Sequence, residues 1–404
     1  MRPLSQRIQN IVPSGIRRHF DVKRDGLVSL GGGTIDWDNL EFVHDAAIKA
    51  IQDDFTAYTT NNGIIELREA ICDKLAAEND VTYTPEEILV VSGTSQAFGA
   101  IPQAVLEPGD EAILFDPTYS AYQPVVDLAM GTAVWVPTYP ERNWNPDLAE
   151  LEAAITDRTR LLFLNLPCVP TGGVFDEDIL RGIAEIAVKH DLYVVSDELY
   201  ERLMFDGHRM ISPASLPGMW ERTFTVQGFS KGFGMTGWRV GYVAAPKPLI
   251  DALVKAVQYV SICAPSISQV AALAALRGPR EVYDRLLAEL DRRRMFVCSS
   301  LDALDGVSAT PQMGGFYSFI DMRAWLDAKG EAMRAKLRTV DGYVMPAEDD
   351  VQLVDYLHGF GNVTLGAGSI FGAQGRGFLR LSQAGTMPTL ERGIAQMIAA
   401  LEAL

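Results

Sequence analysis

Between residues 46 and 285, short apolar runs alternate with amphipathic segments of helical period. The clearest of these runs are EEILVVSG, EAILFDP, RLLFLNLP, DLYVVSDE, RTFTVQGF and VGYVAAP. Strands that are almost continuously apolar are buried on both faces, as in a mostly parallel sheet covered by helices. The pattern therefore predicts an α/β fold, in which ligands bind at the carboxyl ends of the strands.

The pattern changes after residue 285. A long charged helix, VYDRLLAELDRRRMFVCSSL, leads into GGFYSFIDM, a charged stretch, NVTLGAG and GFLRLSQA. We expect a large domain over residues 46–285 and a smaller α+β domain over residues 286–404. Residues 1–45 lack a strong sheet pattern and are expected to pack with the smaller domain.

Composition excludes several classes of protein. The formal net charge of −17 makes binding of nucleic acid or an anionic membrane by bulk charge unfavourable. The four cysteines lie far apart and there are only five histidines, so neither a metal site nor a disulfide framework is expected. The first 20 residues contain no apolar stretch typical of a signal peptide, and no apolar run reaches the roughly 18 residues that span a membrane, so we expect neither feature. We therefore expect a cytoplasmic protein.

The segment VQGFSKGFGMTGWRVGY places Lys231 in a glycine-flanked loop between two apolar runs. A solvated lysine in a turn is one interpretation. However, Ser230 and the flanking glycines allow the backbone to approach a ligand closely, and Arg239 follows eight residues later. A lysine beside an arginine in a dry cleft has a lowered pKa, which suits a nucleophilic amine.

Other polar residues also follow predicted strands. Asp197 ends one strand and Tyr200 follows it; the carboxylate is either a helix cap or the counter-ion of a protonated ring nitrogen. VVSGTSQAFGA predicts a strand, a polar loop and a helix. Its Ser and Thr residues either cap the helix or form an anion-binding site with the helix N-terminus. Tyr119 follows another strand and either packs in the core or stacks on a ligand. Arg380 lies within an apolar strand, so it needs an ion pair or an anionic ligand.

A single ligand accounts for all of these features. It carries a phosphate, a flat ring, a basic ring nitrogen and an aldehyde for Lys231, and its amino-acid co-reactant has a carboxylate for Arg380. Pyridoxal 5′-phosphate has each of these groups. We therefore predict this cofactor.

These motifs resemble the class I/II aminotransferases of fold type I, the family of aspartate and aromatic aminotransferases. The resemblance runs from VPSGIRRHFD and VSLGGG through YTTNNGIIELREAI and SKGFGMTGWRVGY to GFLRLSQA. It implies a large cofactor-binding domain and a smaller C-terminal domain. Lys231 matches the lysine that binds the cofactor covalently and later moves a proton. Asp197 matches the aspartate that keeps the ring nitrogen protonated, and Tyr200 matches a donor to the ring hydroxyl oxygen.

The resemblance also implies binding roles. Tyr119 would stack on the ring, and the phosphate would be bound by Gly93, Thr94, Ser95, Ser230 and Arg239. Tyr58 matches a tyrosine that reaches the phosphate held by the neighbouring subunit, which implies a homodimer with shared active sites. Arg380 matches the bidentate partner of the substrate carboxylate, and Gly32 and Val169 occupy neighbouring substrate-binding positions.

The chain departs from the family pattern at four places. Val169 stands where an asparagine usually precedes Pro-Thr-Gly, so a donor to the cofactor and the substrate carboxylate is lost. Gly228 replaces a serine that binds phosphate. Thr34-Ile35 replaces a common Glu-Pro, and residues 323–348 form a longer segment that either lies on the surface or covers the cleft.

We therefore expect an aminotransferase that passes the amino group of an L-α-amino acid to a 2-oxo acid. Alternatives on the same scaffold are a carbon–sulfur lyase acting by β-elimination, a decarboxylase, or an O₂-dependent oxidative deaminase. A non-catalytic regulator is a further alternative, which the presence of Lys231 argues against. No motif places a second arginine for a dicarboxylic substrate.

Overall fold

The computed structural model describes residues 2–13, 15, 18, 19, 22, 24–37 and 40–404. Several residues of the VPSGIRRHFD block, among them Ile16, Arg17 and Phe20, lie outside this set. The strands are β1 (Val28–Ser29), β2 (Ile88–Val91), β3 (Glu111–Asp116), β4 (Thr132–Pro137), β5 (Thr159–Asn165), β6 (Tyr193–Asp197), β7 (Thr223–Gly228), β8 (Gly241–Ala244), β9 (Tyr317–Asp321), β10 (Val363–Thr364), β11 (Gly366–Ala367) and β12 (Phe378–Ser382).

The α-helices of the described residues cover both faces of the main sheet and the C-terminal third of the chain. They are α1 (Gln6–Asn10), α2 (Glu41–Gln52), α3 (Ile65–Glu78), α4 (Thr94–Val105), α5 (Tyr122–Leu128), α6 (Leu148–Ala153), α7 (Glu177–Lys189), α8 (Lys247–Gln258), α9 (Ser266–Arg277), α10 (Arg280–Leu301), α11 (Arg323–Leu337), α12 (Asp349–Gly361) and α13 (Met387–Glu402).

The main sheet has seven strands in the order β2-β8-β7-β6-β5-β3-β4. β8 alone runs in the direction opposite to the other six strands, so the prediction of a mostly parallel α/β sheet is confirmed. The apolar runs of the sequence correspond to six of these strands. The exception is β4, an edge strand whose residues are largely half-exposed and therefore lack a continuous apolar run.

Both faces of the sheet are buried. Ile88 and Val90 pack in a core with α2, α3 and α9, whereas Leu89 and Val91 pack on the opposite face with α4 and α8. This alternation follows from the period of two in an extended strand. Burial on both faces explains why the strands read as continuous apolar runs.

A second core forms around the three-stranded antiparallel sheet β11-β12-β9 and helices α10–α13. The N-terminal segment joins it, because β1 pairs in parallel with β10. Residues 323–348 are not a cover over the cleft: α11 buries Trp325, Met333 and Leu337 in this second core. The boundaries of the two expected domains stay a prediction.

Candidate active site

A cavity of about 340 Å³ lies at the carboxyl ends of the parallel strands, where the main sheet meets the glycine run after β1 and the strands β9 and β12. Most of the residues that the sequence singles out line it, together with several that it does not. The lining residues are Gly31, Gly33, Thr34, Thr94, Ser95, Phe98, Tyr119, Val169, Asp197, Leu199, Tyr200, Ser230, Lys231, Thr236, Arg239, Tyr317 and Arg380.

Lys231 lies in the loop after β7, and its Nζ donates to the carbonyl oxygen of Gly33 at 2.7 Å. Burial lowers the pKa of Lys231 below its ordinary value of 10.5, and the positive charges of Arg380 and Arg239 act in the same direction. A lysine with a lowered pKa is available as a neutral amine, which can attack a carbonyl carbon or accept a proton.

Asp197 ends β6 in register with Asn165 of β5. Its Oδ2 accepts a hydrogen bond from the hydroxyl of Tyr122, and its Oδ1 accepts one from the backbone N–H of Leu199 at 3.2 Å. Burial raises the pKa of Asp197 to about 6. A nearby cation would reverse this shift, so the cavity favours a positively charged partner for this carboxylate.

Gly93, Thr94 and Ser95 connect β2 to α4. Gly93 has a φ of 82°, and a Cβ there would lie 2.3 Å from Nη2 of Arg239, so a side chain does not fit. The same guanidinium lies at 3.5 Å from Ser230 Oγ through its Nη1. A helix N-terminus, three hydroxyls and a guanidinium thus converge, which is the chemistry of a phosphate site.

The missing serine at Gly228 has a local explanation. A Cβ at Gly228 would lie 3.0 Å from Cγ2 of Thr94 and 3.2 Å from Cδ1 of Leu199. A larger residue would therefore need Thr94 to give way. Glycine at this position allows close packing of the loop that carries Lys231 against the start of α4.

Tyr119, Tyr200 and Tyr317 line the cavity. Tyr119 contacts Tyr122 edge-on, with ring centroids 5.5 Å apart, and Tyr200 contacts Phe316 in the same manner at 5.4 Å. Burial raises the pKa of both Tyr119 and Tyr200. Their hydroxyls therefore stay protonated and can donate hydrogen bonds at neutral pH.

Arg380 lies on β12 and is only 3% exposed. Its Nη2 donates to Gly31 O at 2.7 Å, and its guanidinium lies between the rings of Tyr317 at 4.5 Å and Phe371 at 5.1 Å. Its Nε is buried with no hydrogen-bond partner among the described residues. A buried guanidinium with an unpaired N–H is suited to an anionic ligand.

Val169 lines the cavity and packs in the cluster that contains Tyr200 and Tyr317. Its backbone N–H donates to Asn165 Oδ1 at 2.7 Å. The position is thus fixed by Asn165, but its side chain presents methyl groups and no donor to the cavity.

The structure does not bring every predicted residue to the cavity surface. Gly32 lies between two lining glycines, Gly93 lies behind the start of α4, and Tyr58 is 79% exposed. Conversely, Tyr317 contacts the site but carries no sequence signal that separates it from a core tyrosine. Tyr122 follows the same predicted strand as Tyr119, and core or turn packing is the alternative interpretation for both. Only the three-dimensional positions of Asp197 and Arg380 reveal their role.

Two negative findings concern the described part of the chain. None of its helices has the length and hydropathy needed to cross a membrane. None of its histidine, cysteine and carboxylate side chains form a group of three or more that could hold a metal ion.

The fold is that of a known class of enzymes. The crystal structure of the aspartate aminotransferase from Rhizobium meliloti superimposes on this chain with a TM-score of 0.89. The two sequences are 32% identical, and the alignment covers 100% of this chain and 99% of that one. Residues 25–397 match the family model described as aminotransferase class I and II.

Two curated relatives extend this result. The aspartate aminotransferase of Pyrococcus abyssi is 37% identical, and aromatic-amino-acid aminotransferase 2 of Thermococcus litoralis is 35% identical. Each alignment covers 98% of this chain and 97% of the relative. The chain belongs to the class I and II aminotransferase family and is a pyridoxal phosphate-dependent aminotransferase.

The residues present fit this cofactor. The cradle at Gly93, which a Cβ would fill, offers space for a phosphate beside Arg239. Asp197 offers a buried carboxylate whose charge needs a cation, and Lys231 offers an amine with a lowered pKa. These are the groups that the phosphate, ring nitrogen and aldehyde of pyridoxal phosphate require.

Proposed function

We propose that Lys231, Asp197, Tyr200 and Arg380 carry the aminotransferase reaction in this cavity. The observation that carries the proposal is the convergence, within one buried space, of a lysine amine with a lowered pKa and an arginine with an unpaired N–H. An amine and a carboxylate-binding group are what an α-amino acid needs at its two reactive ends.

Pyridoxal phosphate, when bound, supplies an aldehyde and a ring that withdraws electrons from the substrate α-carbon. Asp197 would hold the proton on the ring nitrogen, and Tyr122 fixes the orientation of the Asp197 carboxylate through its hydrogen bond. Tyr200 would donate to the ring hydroxyl oxygen, and Tyr119 would cover the ring face. Thr94, Ser95, Ser230 and Arg239 would bind the phosphate, with Gly93 leaving the necessary space.

Lys231 then acts as the base. Its neutral Nζ would accept the proton from the substrate α-carbon and would release it again on the cofactor side, so one residue would serve both transfers. The lowered pKa of Lys231 makes this neutral form more accessible than it is for a lysine in water. Burial of the amine also excludes water from the proton that it carries.

Arg380 binds the α-carboxylate of the substrate with two N–H groups. The rings of Tyr317 and Phe371 restrict the plane of the guanidinium, so the carboxylate is oriented as well as bound. Val169 adds no donor here. Carboxylate recognition therefore depends on Arg380 more heavily than in a site that has an asparagine at position 169.

We expect a substrate with an uncharged side chain. Among the described lining residues the cations are Lys231, Arg239 and Arg380, and each already has a role. The named relatives comprise both an aspartate and an aromatic-amino-acid aminotransferase, so both side-chain classes belong in a screen.

The proposed active unit is a homodimer. Tyr58, Tyr259 and Val260 are 79%, 88% and 78% exposed, and their segments are neighbours because Asn61 Nδ2 lies 3.5 Å from Gln258 Oε1. Exposed apolar surface of this kind is typical of a protein–protein interface. A second copy would cover it and bring the partner's Tyr58 to the phosphate end of the cavity.

The proposed function is tested by following the cofactor absorbance of the purified enzyme with single amino acids, each with and without a 2-oxo acid. Without an added 2-oxo acid we expect a single half-reaction per site, which releases one oxo-acid product and leaves the amino group on the cofactor; with a 2-oxo acid we expect sustained turnover. Sustained product formation without a 2-oxo acid would instead indicate elimination, decarboxylation or oxidation. Lys231→Ala is expected to bind the cofactor and lose turnover by several orders of magnitude.

The dimer is tested by mixing inactive Lys231→Ala with impaired Tyr58→Phe. If the sites are shared, hybrids contain one site with both changes and one with neither, so activity recovers. A fully active monomer in sedimentation would contradict the shared site.

A further inference from the structure

One contact links the main sheet to the loop that carries Phe371, and the proposed function does not use it. Asp116 is the last residue of β3 and is 6% exposed. Its Oδ2 accepts a hydrogen bond from the backbone N–H of Ala373 at 2.9 Å, and its Oδ1 accepts one from that of Gln374 at 3.1 Å. One carboxylate thus binds two consecutive amides of a segment more than 250 residues away.

The sequence of the loop is built around this carboxylate. Gly372 has a φ of 139°, and a Cβ there would lie 2.0 Å from Asp116 Oδ1. Only glycine leaves room for the carboxylate at this distance. Next to this contact, the backbone N–H of Thr118 donates to Phe371 O at 3.0 Å, so the strand end and the loop are joined at two adjacent points.

Both ends of this connection reach the active site. On one side, Asp116 and Thr118 immediately precede Tyr119, which lines the cavity. On the other side, Phe371 covers the guanidinium of Arg380 at 5.1 Å. The carboxylate of Asp116 itself is not among the residues that line the cavity.

We propose that Asp116 is a positioning residue, which sets the placement of the Arg380 carboxylate clamp relative to the cofactor face formed by Tyr119. The inference rests on the proposed function of Arg380. It predicts that loss of Asp116 weakens substrate binding without removing any group that touches substrate or cofactor. Charge-assisted hydrogen bonds to backbone N–H groups are strong enough for such a role.

The test compares cofactor-loaded wild type with Asp116→Ala. We expect the amino-acid concentration for half-maximal absorbance change to rise about tenfold, since loss of hydrogen bonds to a charged group typically has this size. The rate at saturation is expected to change less than about threefold, and cofactor affinity less than about twofold. Hydrogen exchange at the amides of Ala373 and Gln374 is expected to become faster.

Two further variants make the test specific. Asp116→Asn keeps the volume and one acceptor oxygen, so it should give an intermediate effect and serves if the alanine variant folds poorly. Arg376→Ala is the matched control in the same loop, because Arg376 pairs with Glu348 at the surface and makes no hydrogen bond to Asp116. We expect it to resemble wild type in all four measurements.

Gly372→Ala attacks the same contact from the other side. Because the added methyl meets Asp116, its effect on half-saturation should be smaller in the Asp116→Ala background than in wild type. Effects that simply add would overturn the proposal, and so would an unchanged exchange rate at Ala373 and Gln374. Faster exchange with unchanged half-saturation would overturn the positioning role and leave a purely structural contact.

The same measurements separate this inference from the proposed function. A wild-type enzyme that reacts with no amino acid contradicts the proposed function and the positioning role with it. A wild-type enzyme that reacts normally, with Asp116→Ala indistinguishable from it, contradicts the positioning role alone.

Discussion

Asp197 and Glu198 are consecutive residues at the end of β6, both buried, and their side chains point to opposite sides of the strand. Asp197 faces the cavity and accepts hydrogen bonds from Tyr122 and from the backbone of Leu199. Glu198 faces away from the cavity and accepts four. Its donors are the side chains of Ser196, Ser212, Gln227 and Asn79.

The region around Glu198 is a closed polar network. Lys74 of α3 donates to Asn79 and Gln227 at 2.8 Å each, and it also contacts Glu201. Gln227 and Asn79 in turn bridge the carboxylates of Glu198 and Glu201. The network ties α3 to the ends of β6 and β7, and so it lies beneath the residues that carry the chemistry.

Burial raises the pKa of both carboxyls, to about 6 for Asp197 and about 7 for Glu198. A raised pKa therefore does not separate the functional carboxyl from the structural one. The difference lies in the hydrogen bonds that the carboxylate oxygens accept. Those of Glu198 accept four from side chains of this protein, whereas those of Asp197 accept two and can accept more from a ligand in the cavity. Asp197 therefore needs a ligand to complete its hydrogen bonding, and Glu198 does not.

The largest expected effect separates the two residues by activity. Asp197→Asn is expected to reduce turnover about a thousandfold, because the amide cannot hold a proton on the ring nitrogen by charge. Glu198→Gln removes a charge of the same sign one residue away and should change turnover less than about threefold. Steady-state kinetics of both variants, loaded with cofactor, decides the matter; equal losses would mean that the comparison is wrong.

The order reverses when stability is measured. Glu198→Ala leaves four buried donors without their acceptor, so we expect it to lower the free energy of unfolding by about 3 kcal/mol more than Asp197→Ala does. Urea denaturation of the cofactor-free proteins measures this difference. A larger loss for Asp197→Ala would show that the network can repack around position 198.

A smaller effect depends on pH. The folded pKa of Asp197, about 6, exceeds the ordinary value of 3.8, so the contribution of this residue to stability is present below pH 4 and is lost as the pH rises through 6. In the cofactor-free protein, Asp197→Asn should therefore gain about 1.4 kcal/mol over wild type between pH 5 and pH 8. The urea midpoints of wild type and Asp197→Asn are measured at both pH values. Both proteins contain Glu198, so its titration cancels in the difference. A gap that does not change with pH would exclude a raised pKa at Asp197.

The smallest effect concerns Val169. Val169→Asn would return a donor near the ring hydroxyl oxygen, which stabilises its negative charge. We therefore expect the pH midpoint of the spectral transition of the bound cofactor to fall by less than about one unit relative to wild type. Absorbance titration of both proteins measures it. A midpoint that stays the same or rises would mean that Val169 only packs.

The comparison also shows what the sequence could predict. Each of three site residues interrupts a local sequence pattern and can therefore be recognised from the sequence. Lys231 is a charged residue in a glycine-rich loop, Asp197 ends an apolar strand, and Arg380 lies within one. The order of apolar runs predicts the main sheet for the same reason. Tyr317 follows an apolar pattern like any core tyrosine, and its place beside Arg380 results from the pairing of β9 with β12.

The Glu198 network was beyond sequence reasoning for a different reason. Its members are contributed by α3, by the end of β6, by β7 and by the segment at Ser212, and none of them is unusual in its own surroundings. Lysines are mostly exposed in folded proteins, yet Lys74 is 7% exposed. Such partnerships depend on how distant elements cross, which local composition does not encode.

The pairing of β1 with β10 has a consequence for how the protein is made. Thr364 Oγ1 donates to Val28 O across 336 residues of chain, and Leu30 N donates to Thr364 O at 2.8 Å. The glycine run that follows β1 supplies the carbonyl oxygen that holds Lys231. During translation, β1 and the glycine run after it are made early, whereas the partner strand β10 is made only after most of the chain. Contacts of such high contact order form late in folding, so the cavity is closed only when synthesis is nearly complete.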